Sequence, residues 1–183
     1  IEYREWLPAA AGDVSVLDAL PAMRAAARVR DAAVAAIEAE GPIHPDRLAR
    51  LVAGAFGLRR VTEGRKASIL GLVPPVHRPT RGDNFLWPAG IDPMTWDLVR
   101  RPAPDESRPV DEISLNEIAN AMRVVAEESG GMSADELKRG ALKMFGGRRM
   151  TEAIESRLDR ALKTARTEAT SSWDQEGSTE RAG

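Results

Sequence analysis

The stretch that decides the fold is GPIHPDRLARLVAGAFGLRRVTE, residues 41–63. A second copy, GGMSADELKRGALKMFGGRRMTE, occupies residues 130–152 of the 183-residue chain. At a constant offset of 89 residues the two copies agree at ten positions without a gap. Two copies are too few for a solenoid, so the repeat predicts two related small domains in tandem. The identical pairs are Gly41/Gly130, Asp46/Asp135, Leu48/Leu137, Arg50/Arg139, Phe56/Phe145, Gly57/Gly146, Arg59/Arg148, Arg60/Arg149, Thr62/Thr151 and Glu63/Glu152.

Each copy has the pattern of a helix, a tight turn with glycine and the start of another helix. In the first copy Pro45 opens a helix, where its missing N–H costs nothing. Gly57 follows the last apolar residue, where a left-handed cap is expected, and Thr62 is the predicted N-cap of the next helix. An amphipathic helix precedes each copy, over residues 21–40 and from Ser114 onward. The counterparts in the second copy are Gly146, Thr151 and the capping box of Ser133 with Glu136.

The segment that follows the first copy has the composition of a β-hairpin. Residues 76–78 and 85–87 are candidate strands, and residues 79–84 supply turn chemistry between them. Such a hairpin after a third helix would be a wing. The sequence therefore predicts a mainly α fold with small β wings, in two tandem winged-helix (helix-turn-helix) domains. The expected segments are an N-terminal arm with a helix start (1–26), a first winged-helix-like domain (27–90), a Pro-rich linker (91–112), a second winged-helix-like domain (113–170) and a flexible tail or degenerate wing (171–183).

Composition excludes several classes of function. The chain has no Cys, so it has no disulfide framework, no thiolate metal site and no cysteine nucleophile. No apolar run approaches the roughly 20 residues of a membrane span. The absence of Cys suits a reducing compartment, and we expect a cytoplasmic location. The chain begins at Ile1 without Met, which indicates a piece of a longer protein.

Positive charge is concentrated in the repeated unit. The chain as a whole has a net charge of -2, but residues 41–73 carry six Lys/Arg against two Asp/Glu. Residues 130–166 carry nine against five, and the acidic excess lies outside both segments. This asymmetry fits an electrostatic footprint for a polyanion. Solvated helix faces explain it equally well.

Five short runs fall in an order that is typical of one known family. They resemble the domain of unknown function at the C-terminal end of large bacterial superfamily-1 helicase-like proteins, which also carry a restriction-endonuclease-like domain. The resemblance covers about residues 28–165 and rests on packing and turn motifs. It implies a setting in DNA or RNA transactions. The runs are residues 40–44, 55–59, 85–88, 112–121 and 145–149.

Nothing in the sequence indicates catalysis. His44 and His77 lack a Cys or carboxylate partner at ligand spacing, and His44 is best explained as a residue at a helix start. The P-loop and the nucleophile-elbow motifs are both missing. We expect no enzymatic activity, no cofactor and no metal, and a cryptic nuclease is considered only because the resembled proteins contain one.

The arginine pairs are the strongest functional signal. Residues 59–60 and 148–149 precede the third helix of each domain, whose N-terminal end approaches the major groove in a helix-turn-helix protein. A guanidinium can bridge phosphate oxygens or bind guanine. A structural role, with one arginine of each pair bonded to helix-end carbonyls or acidic residues, explains the repeat equally well. The predicted nucleic-acid-binding residues are Arg59, Arg60, Thr62, Arg65, Lys66, Arg78, Arg81, Arg148, Arg149, Thr151 and Arg157.

Two aromatic residues of the predicted wing have two interpretations. Trp87 stacks on a base, or Phe85 and Trp87 both fill a gap between wing and helices. Phe56 and Phe145 are predicted core residues. The first functional hypothesis is a non-catalytic nucleic-acid-binding accessory module. The second is a protein-interaction module that docks onto other domains of a helicase-like parent or onto a second copy of itself.

Overall fold

The computed structural model describes residues 1–80, 83–129 and 132–179. Within those ranges the chain is helical and has no β-strand, only the isolated bridges Ile43–Leu86 and Glu2–Arg101. It divides into a first unit, residues 3–95, and a second unit, residues 1–2 and 96–183. The predicted mainly α fold is confirmed. No helix in the described ranges is long and apolar enough to cross a membrane.

Four helices build the first unit: α1 (Val14–Asp18), α2 (Met23–Glu40), α3 (Pro45–Ala55) and α4 (Glu63–Leu70). His44 caps α3 by accepting a hydrogen bond from the backbone N–H of Asp46 at 3.2 Å, and Pro45 occupies the first turn. The apolar spacing that predicted these helices also forms their common core, because small aliphatic side chains let helices approach closely. Core residues include Val29, Ala33, Ile37, Leu48, Val52, Phe56 and Ile69.

Three helices build the second unit: α5 (Leu115–Ser129), α6 (Ala134–Met144) and α7 (Glu152–Thr179). The capping box of Ser133 and Glu136 at the start of α6 is confirmed. Helix α7 runs to Thr179, past residue 166, where we expected the pattern to fade into a tail or a degenerate wing. Pro is absent from residues 152–179, and Gly177 is the first glycine, so nothing in the backbone stops the helix earlier. The core of this unit includes Ile113, Ile118, Met122, Phe145, Leu158 and Ala161.

The expected first wing is not a hairpin in the described residues. Residues 76–78, a predicted strand, belong mostly to a 3₁₀ turn at Pro75–His77, closed by the N–H of Arg78 on the carbonyl of Pro75 at 2.9 Å. Pro75 fixes φ near the value that such a turn needs. Among the described residues, Leu86 forms only an isolated bridge with Ile43.

The aromatic residues of this segment lie in the core. Phe85 is 3% exposed and Trp87 is 1% exposed. Base stacking by Trp87 is therefore wrong, because a buried ring offers no free face. The gap-filling interpretation is confirmed. Phe56 and Phe145 are fully buried, as predicted.

The segment 96–112, expected as a linker, packs on α5 of the second unit. The side-chain amide of Asn120 donates to the carbonyls of Trp96 and Leu98 at 2.9 and 3.1 Å. The N–H of Arg108 donates to the carbonyl of Phe145 at 3.0 Å. These bonds satisfy backbone groups that no strand or helix pairs. The segment is thus an integral part of the second unit.

The N-terminal arm of the first unit is held by one buried carboxylate. Glu40, 1% exposed, accepts from the hydroxyl of Tyr3 at 2.8 Å and from the N–H of Trp6 at 2.7 Å. Arg47 donates to both of its oxygens, at 2.7 and 2.9 Å. Burial alone would raise the pKa of Glu40, but these donors lower it. These contacts pack Tyr3 and Trp6 of the arm against the body of the first unit.

Candidate nucleic-acid interface

The repeated turn has the same hydrogen bonds in both units. In the first, Gly57 N–H donates to Gly54 and Leu58 N–H to Ala53, each at 2.9 Å. In the second, the same bonds link residues 146 to 143 and 147 to 142, again at 2.9 Å. Gly57 and Gly146 have φ of 79° and 78°, the left-handed conformation that glycine adopts without strain. The sequence repeat is therefore also a repeat of backbone structure.

Four arginines follow this turn, and all four are exposed: Arg59, Arg60, Arg148 and Arg149. Within the described ranges, none of them makes a hydrogen bond or an ion pair with another protein group. The structural alternative placed one arginine of each pair on a helix-end carbonyl or a carboxylate. The described residues form no such bond.

Threonine caps the helix that follows each arginine pair, as predicted. The hydroxyl of Thr62 accepts from the N–H of Arg65 at 3.3 Å, and that of Thr151 accepts from the N–H of Ile154 at 3.3 Å. The arginine pairs therefore lie two and three residues before the threonines that cap α4 and α7. A helix N-terminus carries partial positive charge and exposed N–H groups, both of which favour an anion.

The other predicted cations form internal contacts. Arg65 donates to the carbonyl of Leu17 and to the carboxylate of Asp18, at 2.6 Å for the latter. Arg78 donates to the carbonyl of Leu70. These two side chains therefore join α4 to α1 and to the 3₁₀ turn.

Arg157 has an internal role of the same kind in the second unit. It donates to the carbonyl of Val110, with its Nε at 2.8 Å, and to that of Ile113. It thereby fixes α7 against the segment that leads into α5. Arg81, which we placed in the wing, lies outside the described residues.

We expect Arg157→Ala to lower the free energy of unfolding by about 1–3 kcal/mol, because two carbonyls near the core lose their donor. Arg148→Ala in the same unit should stay within about 0.5 kcal/mol, since its side chain is exposed and unpaired. Urea denaturation of both variants measures the difference. Equal values for the two would contradict the structural role of Arg157.

Arginines of the first repeat copy line a shallow cavity of about 460 Å³. Its basic residues are Arg50, Arg59, Arg60 and Lys66, and its acidic ones are Asp46 and Glu63. The ammonium of Lys66 contacts the carboxylate of Asp46 at 2.9 Å and that of Glu63 at 2.8 Å. The bond from Lys66 lowers the pKa of Asp46, and both carboxylates raise the pKa of Lys66. Lys66 is thus internally paired.

The second copy forms a cavity of about 450 Å³ that shares three equivalent lining positions with the first, 50/139, 59/148 and 61/150. Three cations line it, Arg139, Lys143 and Arg148, together with Leu142, Gly147 and Met150. Two of the cations, Arg139 and Arg148, are the repeat equivalents of Arg50 and Arg59. Among the described lining residues there is no carboxylate.

Residues 139 and 143 were missed at the sequence level. The pair Arg50/Arg139 was visible as an identity between the copies. It lies on the helix before the turn, however, and we assigned binding only to the turn and the helix after it. Lys143 stands opposite Gly54 in the repeat, so comparison of the copies gives no signal for it.

The fold and these surfaces define a class: a helical protein with two units, each of which presents basic side chains at a repeated helix–turn–helix junction. Residues 18–67 match the model of a family described as "Protein of unknown function (DUF3320)". This match covers α2, α3 and the first arginine pair, and it supports the resemblance to a domain-of-unknown-function family. Neither the curated proteins nor the solved structures gave a match.

Proposed function

We propose that this protein is a non-catalytic nucleic-acid-binding module that contacts backbone phosphates through its two arginine pairs. The observation that carries the proposal is the state of these four side chains. They are exposed, and within the described ranges they are unpaired, in both copies of the turn. Arginines with only a structural role would be expected to bond protein groups, as Arg65 and Arg157 do.

The chemistry of the turn suits a phosphodiester. Guanidinium groups bind phosphate oxygens in a bidentate way and stay charged at any physiological pH. Each arginine pair is followed by the N-terminus of a helix, which adds N–H donors and a favourable dipole. Exposed side chains lose rotamer entropy when they bind, so we expect modest affinity with a strong dependence on salt.

The order helix, glycine turn, helix in each unit follows the helix-turn-helix plan. In this proposal the turns and the N-terminal ends of α4 and α7 approach the nucleic acid. The first wing contributes nothing from residues 76–78, since these lie in and after a 3₁₀ turn. The family that the sequence resembles implies a setting beside a helicase, and we propose DNA as the ligand and an accessory role in a helicase-like parent.

The test removes all four turn arginines at once. We expect Arg59, Arg60, Arg148 and Arg149→Ala to weaken binding of a labelled DNA duplex by roughly 10- to 100-fold at low salt. The slope of log affinity against log salt should fall by about 0.9 for each phosphate that the variant no longer neutralises. Fluorescence anisotropy at several salt concentrations measures both quantities.

The matched control removes four other exposed arginines: Arg4, Arg24, Arg30 and Arg160→Ala. It changes net charge equally and should reduce affinity much less, because none of these side chains lines either cavity at the repeated turn. Absence of any binding at low salt by the wild-type chain would disprove the proposal. So would an equal loss of affinity in the two variants.

A second candidate function, docking onto another protein, has one observation in its favour. The second unit has a groove of about 590 Å³ with an apolar lining that includes Leu98, Val99, Pro102 and Val124. Leu98 and Ile1, which are 41% and 69% exposed, both line it, and contiguous exposed apolar surface marks interaction sites. A change in sedimentation coefficient with concentration, abolished in Leu98→Ser, would favour self-association over DNA binding.

A further inference from the structure

The two cavities share three equivalent lining positions, 50/139, 59/148 and 61/150, but differ in their other lining residues and in charge. In the first unit four cations face two carboxylates, and Lys66 binds both carboxylates directly. In the second unit three cations line the cavity without a carboxylate among the described lining residues. Like charges concentrated in a concave site attract an anion more strongly than the same number of compensated charges. The two copies therefore differ in their capacity to hold a phosphate group.

In the second unit, the residue equivalent to Asp46 forms an ion pair with a lysine that does not line the cavity. Asp135 is the repeat equivalent of Asp46, and it contacts the ammonium of Lys138 at 3.0 Å. The same ammonium contacts Glu155 and Asp159, each at 3.1 Å. These three carboxylates raise the pKa of Lys138. Asp135 is thus bound to Lys138 directly, and it interacts with the cavity cation Arg139 only through a weaker electrostatic contribution.

One further difference between the two copies adds a cation to the second cavity. Position 143 carries Lys, whereas its equivalent in the first unit is Gly54. Lys143 lies in the last turn of α6, is exposed and lines the cavity with Arg139 and Arg148. Arg139 and Lys143 lie on α6, before the turn, and Arg148 lies after it. The cavity is therefore lined by cations from both sides of the turn.

We infer that Arg139, Lys143 and Arg148 form the primary phosphate-binding site of this protein, with the first cavity as a weaker, internally neutralised counterpart. The ligand is a phosphodiester of a nucleic-acid strand. This inference rests on the proposed function. It adds that the second copy binds more strongly than the first, and that two residues of α6 take part in binding.

The experiment compares matched substitutions in the full chain by anisotropy with a labelled DNA duplex at low salt. Each exposed cation–phosphate contact contributes about two- to fivefold in affinity. Arg139→Gln and Lys143→Gln should therefore each lower affinity about two- to fivefold, whereas Arg50→Gln, at the position equivalent to 139, should lower it less than twofold. Arg160→Gln, on an exposed face of α7, is the control for general charge.

A gain-of-function variant supplies the opposite readout. Gly54→Lys transfers the lysine of the second copy into the first. A Cβ at this position meets no atom within 4 Å, and replacing glycine inside a helix favours folding. We expect this variant to raise affinity about two- to fivefold, a result that loss of folding cannot imitate.

The possible outcomes distinguish a failure of this inference from a failure of the proposed function. If the wild-type chain binds no DNA, both fail. If it binds but Arg50→Gln and Arg139→Gln lose affinity equally, or Gly54→Lys changes nothing, only the inference fails. Inorganic phosphate added at constant ionic strength should displace labelled DNA only in large excess, because it occupies one site whereas the strand contacts several cations. Displacement by equimolar phosphate would assign the cavity to a small free anion and overturn the inference.

Discussion

Replacing Glu117 with Ala is expected to lower the free energy of unfolding of the second unit by about 3–5 kcal/mol. Glu117 is fully buried, and Arg100 and Arg108 beside it are each 7% exposed. Its carboxylate accepts from Arg100 Nη2 at 2.7 Å and from Arg108 Nη1 at 2.6 Å. The N–H of Arg100 also donates to it, at 2.9 Å. Removing the carboxylate leaves two buried guanidinium groups without their counter-charge, which costs more than the pair itself contributes.

The same site makes stability depend on pH. Burial alone would raise the pKa of Glu117, but Arg100 and Arg108 outweigh burial and lower it. A carboxyl group with a lowered folded pKa stabilises the protein above its unfolded pKa, and this contribution is lost as pH falls through the folded pKa. The wild-type chain should therefore lose stability below about pH 4.5. The stability difference between the wild-type chain and Glu117→Gln should shrink over that window.

Hydrogen exchange on peptides from each unit measures the effect locally, and urea denaturation at several pH values measures it for the chain. Glu127→Ala on the same helix is the control, and it should change stability by no more than about 0.5 kcal/mol because its side chain is exposed. If Glu117→Ala matched this control, the buried cluster would have no stabilising role. Faster exchange in residues 96–112 would show that the cluster holds this segment on α5.

This cluster also shows what the sequence could not reveal. Ser114 and Glu117 have the spacing of a capping box, and the N–H of Glu117 does donate to the hydroxyl of Ser114 at 3.2 Å. The carboxylate, however, binds Arg100 and Arg108, which lie 17 and 9 residues earlier. No local pattern marks such a pairing. Residues 96–112 were therefore taken for a linker because prolines are visible in sequence and long-range ion pairs are not.

The elements that could be predicted are those with short-range causes. The caps at Thr62 and Ser133 and the left-handed glycines at 57 and 146 are each decided within a few residues. The predicted wing required residues 76–78 to pair as a strand. A run of three residues between two prolines is too short to specify such pairing. The interior contacts of the basic side chains were unpredictable for a similar reason. Arg157, for example, binds backbone carbonyls of residues 110 and 113, which only the fold brings near.

The second large effect is expected from Gly146→Ala, with Gly57→Ala as its matched partner in the repeat. Both glycines have a left-handed φ, 78° and 79°, so Ala costs about 1–2 kcal/mol at either position. The surroundings differ. A Cβ at Gly57 meets no atom within 4 Å, whereas one at Gly146 would lie 2.3 Å from the carbonyl oxygen of Glu106 and 2.9 Å from the Cα of Ser107. Both atoms belong to backbone, which cannot rotate away.

We therefore expect Gly146→Ala to destabilise its unit by about 1–3 kcal/mol more than Gly57→Ala destabilises the first, the usual cost of overpacking. Hydrogen exchange of peptides from each unit measures the two losses of stability separately. Because the backbone conformation is the same, the difference isolates the close approach of residues 106–107 to the repeated turn. Equal losses of stability in the two variants would mean that residues 106–107 move aside. The hydrogen bond from the N–H of Arg108 to Phe145 would then not fix this segment against the turn. A larger loss at 146 would mean that the segment before α5 restrains the turn that presents Arg148 and Arg149.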